Sequence, residues 1–318
     1  DHGVDLCFKI IKTEVQMLKN YQEIIKKAKE NKPKVLSVAA AEDINVLKAV
    51  KKAYDENVIQ PVLVGNRKKI IEFAKMIDFA YDNENVRIID ITNKKAACHK
   101  AVNLIAAGEA DYIMKGLVGT STLLKALLSK EYNLRTGRRL SHVAVMKLQR
   151  FDHLLIMTDG GMNMYPDLKE KTQIVQNAVD FLIRIGHKKP KVAALAAIEL
   201  VNPDMQATID AALLSKMAER NQIKNCIIDG PLAFDNAISK KAAEHKGIVS
   251  DVVGKSDILL VPNIETGNVM YKALSYFSDL ESGMLIVGAK IPVVLTSRTD
   301  SYLTKFNSII LGKLMTDK

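Results

Sequence analysis

The feature that most constrains this chain is alternation. Short runs rich in Val, Ile and Leu are followed, again and again, by amphipathic runs of helical length. Lys34–Ala40, Pro61–Val64, Val86–Asp90 and Tyr112–Met114 read as strands. Helices are predicted over Ile44–Asn57, Arg67–Ile77, Asn93–Gly108 and Thr122–Ser129, with another at the front over Leu6–Glu30, ended by Pro33. Strands separated by helices of this length form βαβ units, so the expectation is an α/β fold of mainly parallel sheet flanked by helices. The polar, basic stretch Glu131–Leu140, with Arg135, Gly137, Arg138 and Arg139, breaks the rhythm and reads as a domain boundary. Strands resume over His142–Leu148, Leu154–Thr158, Lys191–Ala197, Asn225–Asp229, Asp257–Val261 and Gly283–Val287. Helices are predicted over Leu168–Ile185, Met205–Glu219, Ile238–His245 and Val269–Phe277.

Composition narrows the function classes. At 318 residues the chain has length for two domains, and 48% hydrophobic with 26% charged residues can bury a sizeable core. No apolar run reaches the roughly 18 residues that span a membrane, and the first residues lack a secretory pattern. Cys7, Cys98 and Cys226 are far apart and form no CxxC, which points to a reducing cytoplasm and away from zinc. A net charge of +10 suits anionic partners. With 5% aromatics and no Trp, stacking platforms for nucleic acid are scarce, and a small polyanionic substrate fits at least as well.

Two stretches carry chemistry. Pro292–Thr296 reads as a buried strand and Tyr302 onward as a closing helix, with Ile309, Ile310 and Leu314 on its apolar face. Between them stand Ser297, Arg298 and Asp300. Ligands of open α/β sheets bind beyond the carboxyl ends of strands, and a helix start attracts anions. The plainer alternative is that Ser297 or Asp300 caps the helix. The second stretch, Lys115-Gly-Leu-Val-Gly119-Thr120-Ser121, also lies between a strand and a helix. Its glycines permit close backbone approach. Thr120 and Ser121 add hydroxyls, and Lys115 and Lys125 add charge, which together suit a phosphate. An ordinary glycine turn with a hydroxyl cap would look the same.

Other motifs are weaker. Gly254-Lys255-Ser256 resembles the end of a Walker A loop but precedes a strand, so it reads as a turn. GxGxxG and HExxH are absent. His142 and His153 read as hydrogen-bonded structural residues rather than metal ligands. Asp159, Asp229 and Asp235 stand just beyond strands, as acid–base groups or as caps. Asp229–Asp235 and Pro262–Asn268 read as glycine loops at one rim, lining one cleft.

Taken as a set, Pro61–Asn66, Met114–Ser121, Asp229–Asp235, Asn263–Asn268 with Tyr271-Lys272, and Pro292–Asp300 resemble the phosphate acetyltransferase/phosphate butyryltransferase family, in family order over nearly the whole chain. Leu117-Val118 looks more butyryl-type than acetyl-type. The resemblance implies a two-domain fold like that of isocitrate and isopropylmalate dehydrogenases, with substrate in the cleft between domains. The domains would be 1–139 plus 291–318, and 140–290. It implies butyryl-CoA + phosphate = butyryl phosphate + CoA by direct transfer in a ternary complex. CoA is then a substrate, with no bound cofactor or metal, and the protein a cytoplasmic homodimer or larger homo-oligomer.

Carried onto this sequence, the resemblance makes Ser297, Arg298 and Asp300 catalytic. Lys115, Gly119, Thr120, Ser121 and Lys125 would bind phosphate or substrate. Asp229, Asp235, Glu265, Gly267, Asn268 and Lys272 are cleft or CoA-binding candidates. Two positions depart from the acetyl-type pattern. Lys125 stands where those enzymes carry an arginine, and Thr304 where they carry a catalytic aspartate, which leaves Asp300 as the assigned base. The alternatives are a phosphate acetyltransferase or branched-chain acyl enzyme, a metal- and NAD-dependent dehydrogenase on a similar fold, and a basic nucleic-acid-binding protein without turnover.

Overall fold

The structure is a computed structural model that describes residues 18–317. Its strands are β1 (Lys34–Ala39), β2 (Ile59–Gly65), β3 (Arg87–Asp90), β4 (Tyr112–Lys115), β5 (Ser141–Lys147), β6 (Leu155–Thr158), β7 (Lys191–Leu195), β8 (Ile227–Leu232), β9 (Ile258–Leu260), β10 (Glu281–Val287) and β11 (Val293–Val294). The helices are α1 (Tyr21–Ala28), α2 (Ile44–Asp55), α3 (Arg67–Met76), α4 (Lys94–Ala106), α5 (Thr120–Leu127), α6 (Leu168–Arg184), α7 (Gln206–Glu219), α8 (Phe234–Ile238), α9 (Lys240–His245), α10 (Ile264–Phe277) and α11 (Tyr302–Thr316). Of the helix expected over Leu6–Glu30, the part before residue 18 lies outside the described residues, as does Cys7.

These strands form one sheet in the order β3-β2-β1-β4-β11-β10-β5-β6-β9-β7-β8. Connection length decides the direction of each pair. Helical crossovers make the two flanks parallel, from β3 to β11 and from β6 to β8. The short links from β5 to β6 and from β10 to β11 permit only antiparallel pairing, and β10 also pairs antiparallel with β5. The α/β architecture is the expected one. The antiparallel centre was not foreseen, and it joins the strands of both halves into one continuous mixed sheet.

Helix α11 closes the fold. Its first turn is capped by Ser301, whose Oγ accepts the Thr304 N–H at 3.1 Å. The cap is therefore neither Ser297 nor Asp300. From Lys305 to Leu314 the helix is buried all round, rather than on one face as expected. It lies between the sheet and α1 and α2, where burying Ile309, Ile310 and Leu314 contributes roughly 1.5–3 kcal/mol each. Gly312 lets it approach closely, since a Cβ there would sit 2.7 Å from the Tyr112 ring. The Tyr112 hydroxyl donates to the Ile309 carbonyl at 3.1 Å, which ties the helix to β4.

Three local boundaries differ from expectation and bear on the site. Asn263 caps α10 by accepting the Thr266 N–H at 3.0 Å, so Glu265, Gly267 and Asn268 lie in a helix rather than a loop. Asp229 lies within β8, and Asp235 within α8. Helix α5 begins at Thr120, two residues early, because Gly119 already has extended cap geometry.

Candidate active site

The site follows from the pairing of β4 with β11. They are parallel neighbours, so their carboxyl ends deliver Lys115–Thr120 and Leu295–Asp300 side by side. A cavity of about 670 Å³ opens there. Thr120 lines it from α5, Ser297 and Asp300 from the segment after β11, and Asn268 and Lys272 from α10. The two stretches singled out for chemistry thus face a common space.

The Ser297–Asp300 segment is a closed turn. Asp300 Oδ2 accepts the Ser297 N–H at 2.6 Å, and Ser297 Oγ lies 3.0 Å from Thr299 Oγ1. Lys305, buried on α11, donates to the carbonyls of Ser297 at 2.9 Å and Asp300 at 2.8 Å. A lysine on the inner face of an apolar helix is a sequence signal for such a clamp, and it was overlooked. Arg298 is exposed and does not line the cavity.

Lys115 is buried at the end of β4, its Nζ turned back to the carbonyls of Gly116 at 3.4 Å and Val118 at 3.3 Å. Burial, then the charges of Arg298 and Lys305, hold its ammonium below the usual lysine value, against Asp43 and Asp300. Burial also pushes the Asp300 carboxyl up, against the Ser297 N–H and the charges of Lys305, His142 and Lys115. Two further cations, Arg298 and Lys305, therefore act on Lys115. No side chain caps α5, so its first N–H groups are available. Of the two loop glycines, Gly116 is the one that a close approach requires, since a Cβ there would sit 2.1 Å from the Ala40 oxygen. A Cβ at Gly119 would meet nothing closer than 3.8 Å.

The remaining expected residues are dispersed. Gly119 and Ser121 sit exposed at the α5 start, and Lys125 is exposed in its last turn; none of the three lines the cavity. Asp229 accepts its neighbour's N–H on the edge strand β8, and Asp235 pairs with Lys246 at 3.6 Å. Neither lines this cavity, although β8 and β9 run parallel on either side of β7 and end at the same edge of the sheet. Glu265 accepts a hydrogen bond from the Tyr165 hydroxyl on the surface. Gly267 is a packing residue, because a Cβ there would sit 2.6 Å from Gly160 Cα.

Asp159 is also structural. Its carboxylate accepts the N–H groups of Gly161 and Met162 at 2.9 Å, the His142 N–H at 3.1 Å and the Asn163 amide at 2.6 Å. The cavity gains residues that carried no catalytic or binding assignment: His142, expected to be structural, Tyr271, Thr304 and Ser282. Tyr271 and Ser282 share a hydrogen bond of 2.9 Å. Burial raises the Cys98 and Cys226 thiols to about 11, which leaves them without nucleophilic thiolate at neutral pH. Among the described residues, no group of three or more His, Cys, Asp or Glu could hold a metal, and no helix is long and apolar enough to cross a membrane.

The model of one protein family, described as "Phosphate acetyl/butaryl transferase", matches residues 20–100 and 91–312. The chain belongs to this family. It is 50% identical to a phosphate butyryltransferase of Clostridium acetobutylicum over 299 residues, which cover 94% of this chain and 99% of that one. It is 44% identical to a phosphate acetyltransferase of Thermotoga maritima over 88% of this chain and 95% of that one. The crystal structure of a branched-chain phosphotransacylase from Enterococcus faecalis aligns with a TM-score of 0.79 at 33% identity, covering 89% of this chain and 98% of that one.

Proposed function

We propose that the protein transfers a butyryl group between CoA and phosphate: butyryl-CoA + phosphate = butyryl phosphate + CoA. The observation that carries this reading is the convergence of Thr120, at the uncapped start of α5, with Ser297 and Asp300 on one cavity beside Lys115 and Arg298. Phosphate would sit at the α5 N-terminus, between Lys115 and Arg298. The planar fork of Arg298 suits a phosphate or a developing oxyanion better than a second lysine would. Ser297 would donate to the same oxyanion. Lys125, Ser121 and Gly119 would act on substrate from outside the cavity. Lys272 and Asn268 on α10 would meet CoA, while Asp229, Asp235, Glu265 and Gly267 keep only the family likeness in their favour. The apolar walls at Met157, Met284 and Leu295 would take the acyl chain.

The same reading takes CoA as substrate, with no resident cofactor or metal and no nucleic-acid partner, in a cytoplasmic homodimer or larger homo-oligomer. It takes residues 1–139 plus 291–318 and 140–290 as two domains about a cleft, in the manner of isocitrate and isopropylmalate dehydrogenases. The return of α11 to α1 and α2 supports that grouping. An acetyl-specific enzyme is the second reading, favoured by the 44% identity to the Thermotoga maritima acetyltransferase.

The test is release of CoA thiol from acetyl-, butyryl- and valeryl-CoA, with and without phosphate and without added metal. Phosphate-dependent release that peaks at four carbons is the expected result. A peak at two carbons would keep the chemistry and select the acetyl reading. Folded protein that releases no thiol would overturn both.

A further inference from the structure

We propose that His142 is the proton-transfer residue of this reaction, taking the CoA thiol proton in one direction and returning it in the other; this rests on the acyl-transfer reading above. The imidazole lies at the start of β5, only 8% exposed, and it lines the same cavity as Ser297, Asp300 and Thr120. Its Nδ1 is buried and has no hydrogen-bond partner. Buried polar atoms are almost always paired, so the unpaired Nδ1 of a residue that lines the cavity stands out as a group able to bind a proton.

Two other histidines are engaged in structural bonds. His153 uses both ring nitrogens, toward Asp152 at 2.9 Å and the Ser256 carbonyl at 3.2 Å, and His99 lies 3.0 Å from the Tyr132 hydroxyl. Everything that holds His142 in place leaves its Nδ1 free. Its N–H donates to Asp159 Oδ2 at 3.1 Å, and its carbonyl accepts from Thr158 Oγ1 at 2.8 Å. Gly161 packs on the ring so tightly that a Cβ there would lie 3.0 Å from it.

The charges facing this ring suit a base. Burial lowers its pKa, so the imidazole is neutral and able to accept a proton at neutral pH. Asp159, from the segment after β6, and Asp300, from the segment after β11, both favour the imidazolium once it forms. From α10, Tyr271 and Lys272 face the same cavity, and Lys115 acts on Asp300 from the end of β4. Asp300 is less suited to be the base itself, because its Oδ2 already holds the Ser297 N–H at 2.6 Å. Thr304 carries no base. In the direction that forms the thioester, the imidazole takes the S–H proton and sulfur bonds to the acyl carbon. The bond from that carbon to the phosphate oxygen then breaks, and phosphate leaves with the proton that the imidazolium returns. In the other direction the imidazole takes the proton of the attacking phosphate as its oxygen bonds to the acyl carbon, the C–S bond breaks, and the imidazolium protonates the departing sulfur.

The experiment is the pH–rate profile of His142→Gln beside wild type and Asp300→Asn. Wild-type turnover is expected to fall as pH drops through the His142 pKa, below its ordinary value of about 6.5. His142→Gln should lose at least about a hundredfold in kcat and that acidic limb with it, whereas Asp300→Asn should keep the limb. Full turnover in His142→Gln, or a limb that vanishes only in Asp300→Asn, would overturn the proposal and leave the acyl-transfer reading standing. Loss of phosphate-dependent thiol release in wild type would overturn both. Should the variant not fold, NMR of the wild-type ring, assigned through its own backbone connectivity, decides. Its signals should titrate below about 6.5 and shift when CoA is added; signals indifferent to saturating CoA would reject the role.

Discussion

Arg298 and Lys305 both repel Lys115, which is buried as well. A dianion set among them would relieve that repulsion, so the cluster is better satisfied with phosphate bound than without it. Arg298 and Ser297 are then expected to act at different points. Ser297→Ala removes one donor to the developing oxyanion and should cost about a hundredfold in kcat, with little change in the KM for phosphate. Arg298→Ala should lower kcat and also raise that KM, and Arg298→Lys should recover only part of the loss, because it restores charge without the fork. Steady-state kinetics with phosphate as the varied substrate separate these effects. Wild-type constants in both alanine variants would remove the segment from the reaction. At this scale the sequence singled out Ser297, Arg298, Asp300, Lys115 and Thr120 as candidates, because each stands where a strand hands over to a helix. It did not show His142, which lies inside the alternating apolar pattern of β5. Whether a strand histidine has a partner depends on Asp159, Gly161 and Asp300, which only the fold brings round it.

Between residue and fold stands α11, whose start was open to two readings. A Ser, Thr or Asp before a helix is a cap as readily as it is a functional group, and Ser297 and Asp300 were both weighed as the cap. The bond from the Thr304 N–H assigns the cap to Ser301. Ser301→Ala should therefore cost about 1 kcal/mol of folding stability, while Ser297→Ala should cost close to nothing. Denaturant unfolding of the two variants makes the comparison; equal losses would mean that both hydroxyls hold the helix. The same competition hid the start of α10. Gly267 looks like a loop residue in sequence, yet it sits in a helix because two glycines, Gly160 and Gly267, meet backbone to backbone. A glycine chosen for contact across the fold cannot be told locally from one chosen for a turn.

For the whole molecule, periodicity revealed nearly every strand and helix but not the order of the strands. Parallel crossovers are implied by the helices between strands, whereas the pairing of β10 with β5 joins residues far apart in sequence. No local pattern announces that contact, which is what makes one sheet of two halves. A further property belongs to this scale. In α10 the only buried residue is Gly267, while Val269, Tyr276 and Phe277 are 67%, 84% and 89% exposed. Met164 and Tyr165 lie beside the start of the helix, 67% and 71% exposed. An apolar helix so bare is what a second copy would cover in the homodimer proposed above. Tyr276 also lines the cavity, so a partner seated on α10 would help to wall off the site from water. Phe277→Glu would set a charge in that contact and should turn a dimer into a monomer in sedimentation velocity, with the KM for acyl-CoA rising in parallel. A wild-type protein that sediments as a monomer at micromolar concentration would reject the dimer. A Phe277→Glu variant that stays dimeric would move the contact to another face and leave α10 as an uncovered wall of the cavity.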